Sequence, residues 1–497
     1  MMGVHDGLKK PNPNAPDGER VTMTTTPTPV LQEKPVSGDA SPPRPASEIP
    51  VASGLPFVGN TLEMAKDPAA FFLRCYREYG PVFRVKVFGR KSIVIAGPEA
   101  ALFMTTREGR DALRSREFNQ GIADSYGATE VINGVDGERH VRLRTLMRQG
   151  FSREAVHGQY DELVSITDRA LARKWEVGRR LPVVEAIQYM VVEQLGMIMT
   201  GQAPLDYVKD IRFAILTILN VLVTRQRPGI MLKDPRYKRA RTRVDELGRQ
   251  MIADAQRKLA SGTAQENLIT DILRANRDDK DTMPDENLIL TVTGPYVAGL
   301  DTAANTIAAC IYGILKHPEI LARVQTEADA LYARETLTEE DYRKLPVING
   351  AIMEAMRLWP IAVAQMRTAN YDFAYAGYLI PGDTMLFVGT SVPHFMDEFY
   401  PDAMRFDIDR YQRPRAEHLQ KGASSPFGRG PHSCLGQGLA EVLMAICISR
   451  IFHRFDLALT SPDYVLKTKT SPTPGPAMSF AVRIIGERHP GATAAQK

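Results

Sequence analysis

The residue best placed to do chemistry in this 497-residue sequence is Cys434, within the stretch FGRGPHSCLGQG at positions 427–438. A cysteine thiolate is both a nucleophile and a strong metal ligand. An apolar helical stretch begins at about Leu435, so the N–H groups at its N-terminus are expected to stabilise a negative sulfur. The glycines of the loop let the backbone approach a bound group closely. The pattern indicates a thiolate ligand, and the alternative is a buried, unreactive thiol.

Several other chemistries are excluded by the sequence. Its four cysteines form no C-x-x-C pair, which argues against a disulfide framework and against a structural zinc site. The motifs G-x-x-x-x-G-K-[ST], H-E-x-x-H and G-x-S-x-G are absent. The sequence therefore carries none of the common signatures of nucleotide, zinc-protease or hydrolase sites. A net charge of +4 gives no case for a nucleic-acid partner. These absences leave Cys434 as the candidate. A thiolate with glycines beside it is what a haem-thiolate site needs, in which the sulfur donates electron density to favour O–O cleavage.

The loop Phe427-x-x-Gly430-x-His432-x-Cys434-x-Gly436 resembles the haem-binding loop of the cytochrome P450 family, the haem-thiolate monooxygenases. The resemblance implies haem b as the cofactor and Cys434 as the ligand of its iron. It also implies that Phe427, His432 and Gly436 bind the haem. His432 stands where the family more often has arginine.

The stretch AGLDT at 298–302 resembles the A-G-x-[DE]-T motif on the long central helix of the family. The resemblance implies that Ala298 lies against the haem and that Asp301 and Thr302 are catalytic residues that deliver protons. The alternative is a polar interruption of a buried helix. Pro295, one turn earlier, is expected to kink the helix because it removes a backbone hydrogen bond.

Glu354 and Arg357 share a helix face at i and i+3 and resemble the E-x-x-R pair of the family. An isolated pair of this kind is usually solvated. Here the stretch FDIDRY at 406–411 resembles the F-x-P-x-R-F element, with Ile408 where proline is usual. The resemblance implies a buried network of Glu354, Arg357 and Arg410 that supports the haem loop.

Three further residues resemble the haem-propionate ligands of the family: His140 and Arg144, at i and i+4 on one helix face, and Arg367. Additional cations nearby, among them Arg142 and Arg148, make this region basic. A basic face would steer an acidic redox partner. The other interpretation is an ordinary solvated surface.

Apolar periodicity predicts helices over 136–150, 157–177, 183–201, 205–224, 235–260, 266–276, 284–316, 318–334, 346–358 and 435–453. Alternating β-branched residues predict a hairpin over 82–96 and short strands within 371–389 and 476–484. The predicted fold class is mainly α with a small β region. The resemblance implies the cytochrome P450 fold, as a single large haem domain over residues 51–487. Residues 1–50, which hold ten prolines, are expected to form a disordered tail, and residues 488–497 a flexible C-terminal tail.

The sequence contains no run of 18 apolar residues and no signal-peptide core near its start. We therefore expect no membrane span and a cytoplasmic protein. The most apolar stretch, from Leu288 to Leu315, is interrupted by Pro295 and Asp301.

The resemblance implies a bacterial-type soluble monooxygenase that inserts one atom of O₂ into a small lipophilic substrate, by hydroxylation or epoxidation. Its electrons are expected from a separate donor, a ferredoxin with its reductase. Two alternatives stay open: an H₂O₂-dependent peroxygenase, against which Asp301 and Thr302 speak, and a non-catalytic haem-binding sensor or carrier. The implied pocket is apolar, with Tyr296 and Gln365 as polar handles, and suits fatty acids, terpenoids, steroids or polyketides.

Overall fold

The computed structural model describes residues 42–87, 89–151, 159–224 and 226–489. The helices are α1 (Thr61–Lys66), α2 (Pro68–Tyr79), α3 (Pro98–Phe103), α4 (Arg107–Ala112), α5 (Gln120–Tyr126), α6 (Gly137–Arg148), α7 (Tyr160–Lys174), α8 (Val183–Thr200), α9 (Val208–Ile218), α10 (Pro235–Ala260), α11 (Leu268–Asp278), α12 (Leu288–Lys316), α13 (Pro318–Tyr332), α14 (Glu339–Arg343), α15 (Pro346–Leu358) and α16 (Gln437–Arg454). A π-helical turn, Leu219–Val223, continues α9.

The strands are β1 (Val82–Val87), β2 (Arg90–Ala96), β3 (Leu113–Arg114), β4 (Arg180–Pro182), β5 (Gln365–Ala369), β6 (Phe373–Tyr375), β7 (Tyr378–Ile380), β8 (Met385–Gly389), β9 (Phe455–Leu459), β10 (Thr468–Lys469), β11 (Gly475–Pro476) and β12 (Ala481–Glu487). One sheet has the order β1-β2-β8-β5-β3, and a second has the order β4-β12-β9. The predicted hairpin is the antiparallel pair β1–β2. The strands β10 and β11 form a small hairpin of their own, the β10–β11 hairpin.

Helix α12 lies at the centre of the main hydrophobic core, in contact with α8, α10, α15 and α16. Its sequence is apolar on nearly every face, which is typical of a helix surrounded by protein. The helix is continuous across Pro295. Among the described residues, 285–316 is the one helical segment apolar and long enough to cross a membrane, and 78% of its most apolar window is buried inside the fold.

Both predicted tails contain residues that pack against the folded chain. Residues 1–41 lie outside the described part of the chain. Ile49 is buried, and the Arg44 backbone N–H donates to the carbonyl of Gly377 at 3.0 Å. At the other end, Arg488 forms an ion pair with Asp329 at 2.6 Å. The folded unit therefore begins before residue 51 and extends past residue 487, because local side chains anchor both ends.

Candidate functional site

The cysteine loop is wound tightly in front of α16. The backbone N–H of Cys434 donates to the carbonyl of Phe427 at 2.8 Å, which closes the loop. Gly428 and Gly430 have φ angles of 71° and 79°, a left-handed conformation that favours glycine. A Cβ atom at Gly430 would lie 2.4 Å from the carbonyl oxygen of Met104. The backbone conformation therefore favours glycine at both positions, and close packing on Met104 also requires it at Gly430.

The environment of the Cys434 sulfur favours metal ligation more than a free thiolate. The side chain is exposed at the loop surface, yet the surrounding chain still screens the sulfur from bulk water. This burial raises the pKa of the Cys434 thiol, while the backbone N–H of Gly436 and the charge of Arg144 lower it. Helix α16 begins at Gln437, two residues later than predicted. Because the net effect raises the pKa, the free protein favours the neutral thiol, and a bound cation would be what stabilises the thiolate.

Two side chains of the loop, Arg429 and His432, bind the protein itself. The Arg429 guanidinium donates to Ser425 Oγ at 2.9 Å and to the carbonyl of Ser424 at 2.6 Å. His432 Nε2 lies 2.9 Å from Asp136 Oδ1 and 3.0 Å from Ser115 Oγ. These contacts fix the position of the loop.

Helix α12 presents an exposed stripe in the middle of an otherwise buried helix. Ala298 is exposed and Thr302, one turn later, is half-buried, whereas Leu300 and Asp301 between them are buried. The Thr302 hydroxyl donates to the carbonyl of Ala298 at 2.7 Å. The protein therefore leaves the face of α12 that carries Ala298 and Thr302 partly uncovered.

Two buried histidine nitrogens near the cysteine loop have no hydrogen-bond partner among the described residues. His140 is 2% exposed, and its Nε2 has no hydrogen-bond partner. Its ring centroid lies 4.0 Å from that of His432, whose Nδ1 also lacks a partner. Burial lowers the pKa of His140 to about 4 and the pKa of Arg367 to about 10. Buried polar groups are normally hydrogen-bonded, so these atoms indicate a place for an anionic ligand.

Arg144 lies on the same helix as His140 and contacts the loop directly. Its Nη1 donates to the carbonyl of Ser433 at 2.8 Å. The sequence-predicted loop residues and propionate ligands are thus brought to one region of the fold.

Asp301 and Thr302 are adjacent in sequence but do not form a pair. The Asp301 carboxylate accepts from Gln188 Nε2 at 2.9 Å and lies 2.9 Å from Lys469 Nζ. Thr473 Oγ1 also donates to it. These partners come from α8 and the β10–β11 hairpin, whereas the Thr302 hydroxyl donates within α12 itself.

We expect Lys469→Met to destabilise the protein by about 2 kcal/mol, because it leaves the buried Asp301 carboxylate without its charged donor. Thermal unfolding of this variant, of Asp301→Asn and of the double variant measures their coupling. The double variant is expected to lose less stability than the two single losses combined. The matched control is the exposed Lys467→Met; equal effects at the two lysines would contradict the ion-pair assignment.

The E-x-x-R pair is buried, as the sequence predicted. Arg357 makes two hydrogen bonds to the Glu354 carboxylate, at 2.8 and 2.7 Å, and Arg410 Nε adds a third at 3.2 Å. Two residues that the sequence did not single out join this network. The Tyr411 hydroxyl donates to the Glu354 carboxylate at 2.7 Å. The Glu417 carboxylate lies 2.9 Å from Arg410.

The network reaches the segment just before the cysteine loop. Arg357 Nη1 donates to the carbonyl of His394 at 2.5 Å. His394 Nε2 in turn accepts from the backbone N–H of Ser425 at 2.9 Å. Burial lowers the pKa of His394 to about 3, so its neutral ring serves as an acceptor. The loop is held by a continuous chain of buried hydrogen bonds.

The structure places Tyr296 and Gln365, the two polar side chains predicted for the pocket, against other parts of the protein. Tyr296 is 1% exposed, and its hydroxyl lies against α8, 3.1 Å from where a Cβ atom of Gly196 would stand. The Gln365 amide nitrogen lies 2.2 Å from the position of a Cβ atom at Gly428. Gln365 therefore packs on the cysteine loop, and the Tyr296 hydroxyl packs on α8.

The sequence profile of the cytochrome P450 family matches residues 49–478, most of the chain. The chain belongs to the cytochrome P450 family. It is a haem-thiolate monooxygenase, and the cofactor of the family is haem b. The unpartnered His140 and His432 nitrogens and the buried Arg367 fit the anionic edge of this cofactor, and the exposed Cys434 fits its iron.

Two relatives with stated activities cover most of this cytochrome P450. Cyclooctat-9-en-7-ol 5-monooxygenase from Streptomyces melanosporofaciens is 27% identical over 438 residues, which are 85% of this chain and 92% of that protein. Abscisic acid 8'-hydroxylase 1 from Arabidopsis thaliana is 26% identical over 419 residues, which are 82% of this chain and 85% of that protein.

Solved structures confirm the cytochrome P450 fold. The heme domain of cytochrome P450DA has a TM-score of 0.76 at 22% identity, over 90% of this chain and 99% of that one. Retinoic-acid-bound cyanobacterial CYP120A1 has a TM-score of 0.75 at 22% identity, over 90% of this chain and 100% of that one.

Proposed function

We propose that this cytochrome P450 inserts one oxygen atom of O₂ into a lipophilic, largely hydrocarbon substrate and takes its electrons from a separate ferredoxin-type donor. The observation that supports it most strongly is the gathering of an exposed Cys434 thiol and buried, unpartnered cofactor-binding atoms at one loop. The exposed stripe of α12 supplies the space in which a substrate would lie.

In this proposal Cys434 ligates the haem iron, and a group of nitrogen donors holds the propionates. His140, Arg144, Arg367 and His432 form that group, and Ala298, Phe427 and Gly436 contact the ring. When bound, the haem-thiolate supplies the activation of O₂. The buried network around Glu354 keeps the loop in place for it.

The Thr302 hydroxyl is the proton-handling group on the cofactor side of α12. Its hydrogen bond to the Ala298 carbonyl fixes the oxygen at the exposed stripe, where the oxygen would accept a hydrogen bond from a water molecule and hold that water in place as the proton donor. In this proposal Asp301, the neighbouring carboxylate that Lys469 and Gln188 hold, relays protons toward the same water. The presence of both residues favours an O₂-dependent reaction over a peroxygenase.

An apolar lining supports a lipophilic substrate. Ala298 and Ala362 are exposed, and Val297 is half-buried. The substrates named for two relatives, cyclooctat-9-en-7-ol and abscisic acid, are carbon skeletons with few oxygens. Apolar walls with few polar groups select such molecules by burial of apolar surface.

A separate electron donor is supported by cations next to the loop. Arg142 and Arg148 are exposed on α6, the helix from which Arg144 reaches the carbonyl of Ser433. Exposed cations at this position increase the rate of encounter with an acidic protein such as a ferredoxin.

The test is optical titration of the haem-loaded protein with a panel of terpenoids, retinoids, fatty acids and steroids, with glucose as a polar control. We expect one lipophilic class to shift the Soret band with saturation, and that class to give a product one oxygen heavier with NADPH, ferredoxin and reductase. Saturable binding without an oxygenated product would contradict the proposal.

We expect Thr302→Ala to keep its haem but to release hydrogen peroxide in place of product. Without the hydroxyl, no side chain at this position of α12 positions a proton donor, so product per NADPH should fall at least about tenfold. Peroxide and product are quantified together. Thr306→Ala, one turn further and buried, is the control; unchanged coupling in Thr302→Ala would remove the hydroxyl from the reaction.

Arg367→Gln is expected to weaken haem binding, because it removes a buried cation from the propionate site. A hydrogen bond to a charged group contributes about 1.5–3 kcal/mol, so haem loss to excess apomyoglobin should be about tenfold faster or more. The control is Arg142→Gln on the exposed face of α6. Equal rates for the wild type and Arg367→Gln would contradict the assignment.

A further inference from the structure

A second cluster of ligand-type side chains lies far from the cysteine loop. Asp329 on α13, His453 near the end of α16 and His489 just after β12 place their ligand atoms within 4.8 Å of one another. In the described part of the chain this is the one group of three or more histidine, cysteine or acidic residues that does so. Helix α16 rises about 1.5 Å per residue, so the cluster lies at the opposite end of that helix from Cys434.

Two of the three distances between the ligand atoms are close to those around a single transition-metal ion, and the third is within 4.8 Å. Asp329 Oδ1 lies 2.9 Å from His453 Nδ1 and 3.2 Å from His489 Nε2. Ligand atoms bound at about 2.1 Å to one ion lie about 3.0–3.4 Å apart. The two imidazole rings stack with centroids 4.3 Å apart. The nitrogen lone pairs of two stacked rings do not point at one ion, so the His489 ring must tilt to bind it. The His489 side chain is 44% exposed, which leaves room for this tilt.

Neighbouring side chains hold Asp329 and His453 in place. Arg488 Nη2 donates to Asp329 Oδ2 at 2.6 Å, so Oδ1, which both histidines contact, is the oxygen that would exchange these contacts for a metal. The His453 ring packs against the ring of Tyr332 with centroids 4.9 Å apart, which holds its orientation. Metal sites regularly fix their carboxylate and histidine ligands by such contacts.

We propose that Asp329, His453 and His489 bind a divalent transition-metal ion that ties the end of β12 to α13 and α16. Two imidazoles and one carboxylate prefer Zn²⁺, Co²⁺, Ni²⁺ or Cu²⁺ over Mg²⁺ or Ca²⁺. Water completes the coordination. The three ligands are 124 and 36 residues apart in the chain, so the ion cross-links segments that are distant in sequence and raises the stability of the folded state.

The experiment is calorimetric titration of Zn²⁺ into the full-length, haem-loaded protein after treatment with a chelator, together with thermal unfolding. One saturable site and a higher unfolding midpoint are expected, and Mg²⁺ should not replace Zn²⁺. His489→Ala changes an exposed side chain and is expected to fold, and to bind Zn²⁺ at least about tenfold more weakly.

The control is Asp456→Asn, which removes a nearby negative charge outside the three ligands; Asp456 Oδ1 lies 3.5 Å from Arg488. It should keep the affinity of the wild type. Absence of a saturable Zn²⁺ site in the wild type, or the same affinity in His489→Ala, would overturn the proposal. Equal losses in His489→Ala and Asp456→Asn would show general attraction of cations and would overturn it as well.

Discussion

Cys434→Ala is expected to abolish the thiolate character of the haem completely. The alanine has no sulfur to bind the iron, and the loop, closed by the bond between the Cys434 N–H and the Phe427 carbonyl, brings no other ligand to that position. The ferrous–carbon monoxide spectrum measures the ligand directly. The variant should lose the thiolate-type band and most of its bound haem.

Cys75→Ala is the matched control because Cys75 is fully buried in a different cluster, on the inner face of α2. It should keep the thiolate-type spectrum at wild-type haem content. A thiolate-type band in Cys434→Ala, or its loss in Cys75→Ala, would contradict the assignment of the iron ligand.

Glu354→Gln is expected to have the largest effect on stability. The substitution keeps the size of the side chain but removes the charge that neutralises Arg357 and Arg410, which are 3% and 0% exposed. Removing one partner of a buried ion pair costs about 3–5 kcal/mol, because the remaining charge stays buried without compensation. Denaturant unfolding measures this loss, and haem content should fall with it because the network supports the cysteine loop.

Glu63→Gln provides the comparison at the surface. Glu63 pairs with Arg74 at 2.8 Å, but both side chains are more than one-third exposed, and such pairs contribute about 0–1 kcal/mol. We expect a small change in unfolding free energy and full haem content. A loss in Glu354→Gln no larger than that in Glu63→Gln would show that the buried network does not support the fold.

Long helices were predictable because their patterns are local. The predicted segment 235–260 is α10 itself, and 284–316 contains α12 with a start at Leu288. Short strands were missed: β5, QMRTA at Gln365–Ala369, carries polar residues and forms because it pairs with β8 and β3. That pairing comes from residues distant in sequence, which periodicity does not contain.

The same distinction applies to the site. The cysteine loop and the E-x-x-R pair were identifiable because each is a short motif with fixed spacing. The orientation of Asp301 was not, because neighbouring helix residues point about 100° apart and its partners Gln188 and Lys469 come from distant segments. The lysine and the amide carried no motif that would have singled them out.

The central claim is that this cytochrome P450 uses O₂ to oxygenate an organic substrate. The most direct measurement is mass spectrometry of the product formed under isotopically labelled O₂ with NADPH, ferredoxin and reductase, using the panel compound that gives the largest Soret shift. The account predicts one labelled oxygen atom in each product molecule, and none when the label is in the water. A product without label, or NADPH consumption that yields only peroxide with every binding compound, would contradict it.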